Sequence, residues 1–246
     1  VYKIVNKGQH EDAEANLTTS KTVKVTNYDK REYEITLGAS TSGREAGTEA
    51  EAASVVLVLD RSRSMGTDGM TALVNAADTF IDTLKEASQD SQVAVVYFNG
   101  TQGSNTDKTI AKNFTKLDTD ENVASIKKFL SDNDDPEGGT PMGDALKKAK
   151  SLLDTDNTGN QKYVLFFTDG LPGHNSNNAF NCMVANSAVN YANDIKANAT
   201  IYTVGYNLSG ILYWHKGDSA TSSRDIYHWN HDLSTSASNF LKDYTY

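Results

Sequence analysis

The sequence predicts a doubly wound α/β domain, a mostly parallel open sheet flanked by helices, with an antiparallel β-hairpin extension ahead of it. Three observations point there. From about residue 53 onward, short apolar runs alternate with amphipathic stretches, the order that builds parallel strands joined by crossover helices. The first of these runs, Ser54 to Leu59 (SVVLVL), is β-branched and apolar on both faces, as a strand in the middle of a parallel sheet must be. Before residue 53 the pattern changes in kind. Lys21 to Asn27 (KTVKVTN) and Glu32 to Leu37 (EYEITL) alternate with period two around a polar turn at Tyr28 to Arg31.

The elements follow in chain order. After the hairpin, Ala39 to Ala53 is rich in Gly, Ser, Glu and Ala and reads as a linker, so residues 1–52 are expected to form the extension and 53–246 the main domain. Met70 to Ala87 carries Leu73, Ala76, Ala77, Phe80, Ile81 and Leu84 at helical spacing. Gln92 to Phe98 (QVAVVYF) is a second buried strand, and Thr109 to Leu117 alternates enough for an edge strand. Glu121 to Leu130 sets Val123, Ile126, Phe129 and Leu130 on one helical face, and Pro141 to Leu153 forms the next helix. Lys162 to Thr168 (KYVLFFT) is a buried strand ending in a turn at Asp169 to Gly173, and a helix from about Cys182 to Ala197 leads into a strand at Thr200 to Val204. Leu208 to Trp229 has no clear period. Ser234 to Tyr244 is expected to close the domain as a helix begun by a Ser or Thr cap.

Composition narrows the partners. With 23 basic and 32 acidic residues, the net charge is −9. Nucleic acid and anionic membrane surfaces are poor partners for such a chain, because binding them needs clustered Lys and Arg to displace counterions. The longest apolar runs, Val93 to Phe98 and Val55 to Leu59, fall far short of the ~20 residues a membrane helix needs. A single cysteine, Cys182, excludes an intrachain disulfide and a cysteine-rich zinc site. The chain opens at Val1, and Val1 to His10 lacks the basic start and apolar core of a signal peptide, so it reads as a processed or excised piece of something longer.

The segment richest in chemistry is Asp60-Arg61-Ser62-Arg63-Ser64-Met65-Gly66, at the C-terminal end of the first core strand. In an open parallel α/β sheet, ligands bind in the crevice outside the carboxyl ends of the strands. Alternate residues on an extended or turning backbone project the same way, so Asp60, Ser62 and Ser64 offer oxygens to one point. Oxygen-only ligation selects a hard cation, and a compact octahedral site favours magnesium or manganese over zinc, with calcium as the alternative. Two other segments reach the same end of the sheet. Gly138 to Asp144 places Thr140 directly before a helix with Pro141 at its first position, and Phe167 to Gly170 places Asp169 at the end of another buried strand.

Each piece alone also has a plainer reading. Asp, Ser and Gly after a strand are ordinary turn formers. Thr140 before Pro141 looks like an N-cap, with Asp144 well placed in the first turn. The two roles are compatible, since a hydroxyl oxygen has two lone pairs. Asp154 to Gly159 imitates the start of a calcium loop, yet Leu165 stands where a bidentate Glu belongs, so a helix-ending turn is the better reading. The acidic run Asp132 to Glu137 reads as a solvated loop, and His174, His215, His228 and His231 read as surface histidines.

Taken jointly, the three segments resemble the von Willebrand factor type A domains, whose metal-ion-dependent adhesion site is built from D-x-S-x-S, a later Thr and a later Asp. The likeness covers roughly residues 53 to 246, with the motif segments in family order. It implies the family's Rossmann-like fold, Ser62, Ser64 and Thr140 as direct metal ligands, and Asp60 and Asp169 acting directly or through bound water. Three neutral hydroxyls and only two carboxylates, one or both of them reaching the ion through water, leave a divalent cation incompletely neutralised by its nearest neighbours, so a carboxylate from a protein partner is the natural sixth ligand. The hairpin, linker and long loops resemble Gram-positive surface and pilus-tip adhesins. That likeness implies an extracellular or wall-anchored, non-enzymatic adhesion module, whose partner is a host matrix or surface protein or another domain of the same chain. Two rivals are an intracellular partner of an ATP-driven chelatase or chaperone assembly and a metal-dependent hydrolase. The hydrolase lacks an identifiable base or nucleophile. Specificity is expected on the rim, where Arg61 and Arg63 alternate with the metal-facing residues and where the loops Asn99 to Lys108, Asp132 to Gly139, Leu171 to Asn181 and Leu208 to Tyr227 gather.

Overall fold

The structure is a computed structural model, which describes residues 16–27, 32–42, 51–100, 109–169, 172–173, 181–206, 211–213, 234–236 and 241. The chain divides into two compact units, Val1–Glu49 and Ala50–Tyr246. In the first, β1 (Asn16–Asn27) and β2 (Glu32–Ser42) pair antiparallel, with Asn16 opposite Ser42 and a shift of register between Val25 and Asn27. The hairpin runs further than the alternation predicts. Its added ends are NLTTS, ahead of the predicted first strand, and GASTS, of which Ala39 to Ser42 fall in the expected linker, yet each continues the backbone ladder.

The second unit is built on a sheet of order β5-β4-β3-β6-β7. Its strands are β3 (Ala53–Asp60), β4 (Gln92–Phe98), β5 (Ile110–Lys116), β6 (Gln161–Thr168) and β7 (Thr200–Gly205). All neighbours are parallel except β5, which runs antiparallel along the edge of β4. This is the mostly parallel, helix-flanked α/β architecture the sequence predicts. The connecting helices are α1 (Gly66–Ala87), α2 (Asp120–Asp132), α3 (Met142–Thr155) and α4 (Cys182–Lys196). Among the described residues no helix is long and apolar enough to cross a membrane.

Strand β3 lies at the centre and is buried along its whole length. Because strand side chains alternate, Val55, Leu57 and Leu59 join one core with α1 and α2, while Val56 and Val58 join another with α3 and α4. An unbroken apolar run is therefore required here, and within the five-stranded sheet this strand and β4 are the ones buried along their whole length. The chain leaves β3 toward β4 and β5, then returns to β6 and β7 on the other side. That reversal opens a crevice beyond the carboxyl ends of β3 and β6, the ends at which Asp60 and Asp169 stand.

Two expectations change. Ser234–Ser236 is not the start of a helix but a strand, β9, paired antiparallel with β8 (Ile211–Tyr213). A short Ser/Thr run suits a cap or a ladder equally, and the pairing partner that decides it lies far away in sequence. Helix α3 begins one residue later than predicted, with Pro141 rather than Thr140 at the N-cap and no side-chain cap bond. By contrast, α2 and α4 are capped by Thr119 and Asn181, whose side-chain oxygens accept from Asn122 N at 3.1 Å and from Met183 N at 3.0 Å.

Candidate metal centre

The centre is built from Asp60 outward. Its Oδ1 accepts a hydrogen bond from Ser62 N at 2.8 Å, closing an Asx turn at the end of β3, and its Oδ2 accepts from Thr168 Oγ1 at 2.7 Å. Ser62 is extended (φ −63°, ψ 160°), and a single 3₁₀ turn over Arg63–Met65 follows, closed by Met65 N donating to Ser62 O at 3.1 Å. Met65 is buried in the α1/α2 core and anchors that turn. The result places Ser62 Oγ and Ser64 Oγ 3.0 Å apart, so alternation on a turning backbone does bring the two hydroxyls together. Ser62 is buried and Ser64 exposed, which opens the pair outward.

Asp169 arrives from β6. Its carboxylate is hydrogen-bonded by the Ser64 hydroxyl, which links the third segment to the first. Burial raises its pKa, against the pull of that hydroxyl and of its own backbone N–H. Asp60 is pushed up to about 7, first by complete burial and then by the Asp169 charge, with the bonds from Thr168 and Ser62 pulling the other way.

Thr140 joins the group through backbone. Glu137 N donates to Arg61 O at 3.0 Å, Arg63 N to Gly138 O at 3.2 Å, and Gly139 N to Gly100 O at 3.2 Å. The strip 137–139 is thus sewn onto the Asp60–Ser64 turn and the end of β4. Gly138 makes the seam possible: its φ is +70°, and a Cβ there would stand 2.7 Å from Gly100 N. Thr140 itself is 6% exposed and exchanges backbone hydrogen bonds with Gly173 at 3.2 and 3.3 Å. Because α3 is capped one residue later, the Thr140 hydroxyl is not engaged as its cap.

A divalent cation fits what these residues lack. The two carboxylates lie close enough for the Asp169 charge to raise the proton affinity of Asp60, and among the described residues neither has an ion-pair partner. Asp169 Oδ1 is buried with no hydrogen-bond partner there. An orphaned carboxylate oxygen beside a second buried acid and two hydroxyls is the environment a hard cation would relieve. Among the described residues no three His, Cys, Asp or Glu cluster.

A family model described as von Willebrand factor type A domain matches residues 54–237. The chain belongs to the von Willebrand factor type A domain family. It is 31% identical over 136 residues to the uncharacterized protein YwmC of Bacillus subtilis (strain 168), an alignment covering 50% of this chain and 57% of that protein. The chain therefore matches little more than half the length of that relative. Among solved structures, the pilus adhesin SpaC from Lactobacillus rhamnosus GG aligns with a TM-score of 0.52 at 17% identity, over 80% of this chain and 29% of SpaC. The PilB minor pilin from Streptococcus sanguinis aligns with a TM-score of 0.53 at 15% identity, over 79% of this chain and 68% of PilB. At such identities the likeness to SpaC and PilB is one of fold.

Some residues of this von Willebrand factor type A domain escaped sequence reading. Thr168 orients Asp60, but a Thr inside a buried strand carries no signal beyond β propensity. Arg61, expected on the rim, is 8% exposed and directed into the protein, whereas Arg63 is exposed. The Asp154–Gly159 stretch is a helix-ending turn, with Asp156 Oδ1 accepting from Thr158 N at 3.1 Å. All five histidines lie outside the described residues, as does the side chain of Cys182.

Proposed function

We propose that this chain is a metal-dependent adhesion module, in which residues 53–246 form the binding domain and residues 1–52 its extension. Ser62, Ser64 and Thr140 supply hydroxyl ligands to magnesium or manganese, and Asp60 and Asp169 act directly or through water. Calcium is the alternative ion. When bound, the cation supplies an under-neutralised positive charge that takes a carboxylate oxygen from a protein partner. The chain's own residues prepare that event. Thr168 and Ser62 N hold the Asp60 carboxylate in place, and Met65 fixes the turn that sets the two serines side by side. The observation that carries this reading is the fully buried Asp60 raised by the charge of the half-buried Asp169, with an orphaned Asp169 oxygen and two adjacent hydroxyls.

The fold shared with a pilus adhesin and a minor pilin supports placing the module on a bacterial surface or pilus, where an acidic side chain of a host or neighbouring pilus protein is the ligand. A binding role is favoured over hydrolysis by the groups that hold the acids. The described partners of Asp60 and Asp169 are hydroxyls and backbone N–H groups, none of them a general base at neutral pH.

Isothermal titration of magnesium and manganese into metal-stripped protein, beside a Ser62→Ala/Ser64→Ala double variant, tests the proposal. Binding confined to the parent and tightened by acetate is expected. Equal or absent heat in both proteins at millimolar metal would overturn it.

A further inference from the structure

We propose that Arg61 is a positioning residue for this centre, holding the Asp60–Ser64 turn and the Thr140 strip in register before a cation arrives; the inference rests on the metal-site reading above. Arg61 sits between two candidate ligands in sequence, yet its guanidinium turns inward. Nη1 donates to Asn133 O at 3.2 Å, Nη2 donates to Asn99 Oδ1 at 3.4 Å, and Nη2 lies 3.9 Å from Glu137 Oε1. Its backbone takes part as well, with Arg61 N donating to Phe98 O at 3.1 Å and Arg61 O accepting from Glu137 N at 3.0 Å.

One residue thereby ties together the ends of β3 and β4, the C-terminus of α2 and the strip that leads to Thr140. The Asn133 carbonyl is a natural acceptor for a cation. Asn133 is the C-cap of α2, where unsatisfied carbonyls and the helix dipole concentrate negative charge. The fork shape matters too. A guanidinium presents donors in fixed, diverging directions, which lets one side chain reach acceptors on separate elements, while an ammonium is a single point. Asn99 is fully buried, and among the described residues Nη2 of Arg61 is its side-chain oxygen's partner.

Charge alone would argue against an Arg here. A guanidinium adjacent in sequence to Asp60 and Ser62 repels a cation held by them, so a purely electrostatic role predicts tighter metal binding once it is removed. A positioning role predicts the reverse. Outer residues that orient metal ligands commonly change affinity by about 10- to 100-fold when removed.

The test is titration of magnesium and manganese chloride into metal-stripped parent, Arg61→Met, Arg61→Lys and Asn99→Ala, well below each protein's melting midpoint. Thermal melts with and without metal accompany it. Arg61→Met is expected to bind about 10- to 100-fold more weakly, with a correspondingly smaller metal-induced rise in melting temperature. Arg61→Lys is expected to stay weak because charge without the fork does not restore the ties, and Asn99→Ala to shift the same way by a smaller factor. A residue that serves stability alone would lower the metal-free melting temperature and leave the affinity of the folded protein unchanged. Unchanged or tighter affinity in folded Arg61→Met overturns the proposal, and if that variant does not fold, Asn99→Ala decides on the same criterion. Absence of binding by the parent would sink the metal reading itself, whereas a binding parent matched by its variants sinks only the role of Arg61.

Discussion

The sheet has a buried aspartate at each end, and the two are treated in opposite ways. At the carboxyl end Asp60 is fully buried beside Asp169, and its pKa is driven up to about 7. At the amino end Asp156, between α3 and β6, is nearly as deeply buried, and its pKa is driven down. Burial pushes both upward. At Asp156 it is outweighed by the Thr158 backbone N–H and hydroxyl, by Ser54 and by the Lys162 charge. Gln92 Nε2 also donates to Asp156 Oδ1 at 2.9 Å and to Ser54 Oγ at 2.9 Å, closing a network across the starts of β3 and β4. One end carries its own compensation: donors gather on Asp156 Oδ1, and the Lys162 ammonium lies 3.8 Å from Oδ2, which accepts no hydrogen bond. At the other, among the described residues, no cationic side chain balances the acids, and the contrast teaches that burial of a carboxylate marks a functional site only where the protein withholds the compensation.

The largest effect is expected from removing the compensated acid, Asp156. Asp156→Ala leaves Gln92, Thr158 and Lys162 facing an apolar methyl group, at a cost of about 3 kcal/mol in urea-denaturation stability at pH 7. Its pH signature has a definite sign. A carboxyl with a depressed folded pKa contributes stability that is present above its unfolded value, about 3.9, and lost as pH falls through the folded one. The parent should therefore weaken in acid more steeply than the variant, and parallel acid limbs would break the contrast between the two ends.

Next in size is Gly138→Ala, which forces a side chain into a left-handed conformation 2.7 Å from Gly100 N. About 2 kcal/mol of destabilisation is expected from strain and displacement of the seam, together with a loss of metal response, because the strip carrying Thr140 must move. A smaller change of opposite sign is expected from Asp60→Asn without metal. The amide still accepts from Ser62 N, while the repulsion with Asp169 disappears, so stability at pH 7 should rise by about 1 to 2 kcal/mol. Here the folded pKa is raised, so the parent's disadvantage is absent below about pH 4 and grows as pH climbs toward 7. Denaturation of both proteins across that window checks it; a gain that is equally large at pH 4 would mean that packing, not charge, is responsible.

How far these features could be read in advance depends on how local their causes are. Strands β3 and β4 declare themselves because central parallel strands must be apolar on both faces, and helix α2 because Val123, Ile126 and Leu130 repeat on one face above a Thr119 cap. Asp60, Ser62, Ser64 and Asp169 stand out for a related reason, since turn chemistry at the carboxyl end of a strand is visible in sequence. Contacts made at a distance are not. Ser234–Ser236 pairs with residues more than 20 positions away, Thr168 finds Asp60 across the strand pair, and Arg61 turns from the expected rim because Asn99 and Asn133 offer it acceptors inside. The one-residue shift of the α3 start likewise depends on the pairing of Thr140 with Gly173.

The smallest expected effect isolates burial from position. Asp154 stands two residues before Asp156 and also carries a lysine partner, Lys150, at 2.6 Å across one helical turn. Its side chain is 58% exposed, against 1% for Asp156. In water the gain from an exposed i,i+4 pair is nearly cancelled by solvation and side-chain entropy, so Asp154→Ala should cost only about 0.3 to 0.5 kcal/mol, and less at high salt. Asp156→Ala should be less sensitive to salt, because its compensation comes mainly from hydrogen-bond donors around the buried carboxylate, with the partly buried Lys162 charge at 3.8 Å as the one screenable part. If the two variants cost the same, or if salt rescued both alike, the amino end of the sheet would owe its stability to helix-end charge in general. A large loss at Asp156 alone, little changed by salt, would tie it to the buried network, a counterpart that Asp60 and Asp169 lack among the described residues at the opposite end.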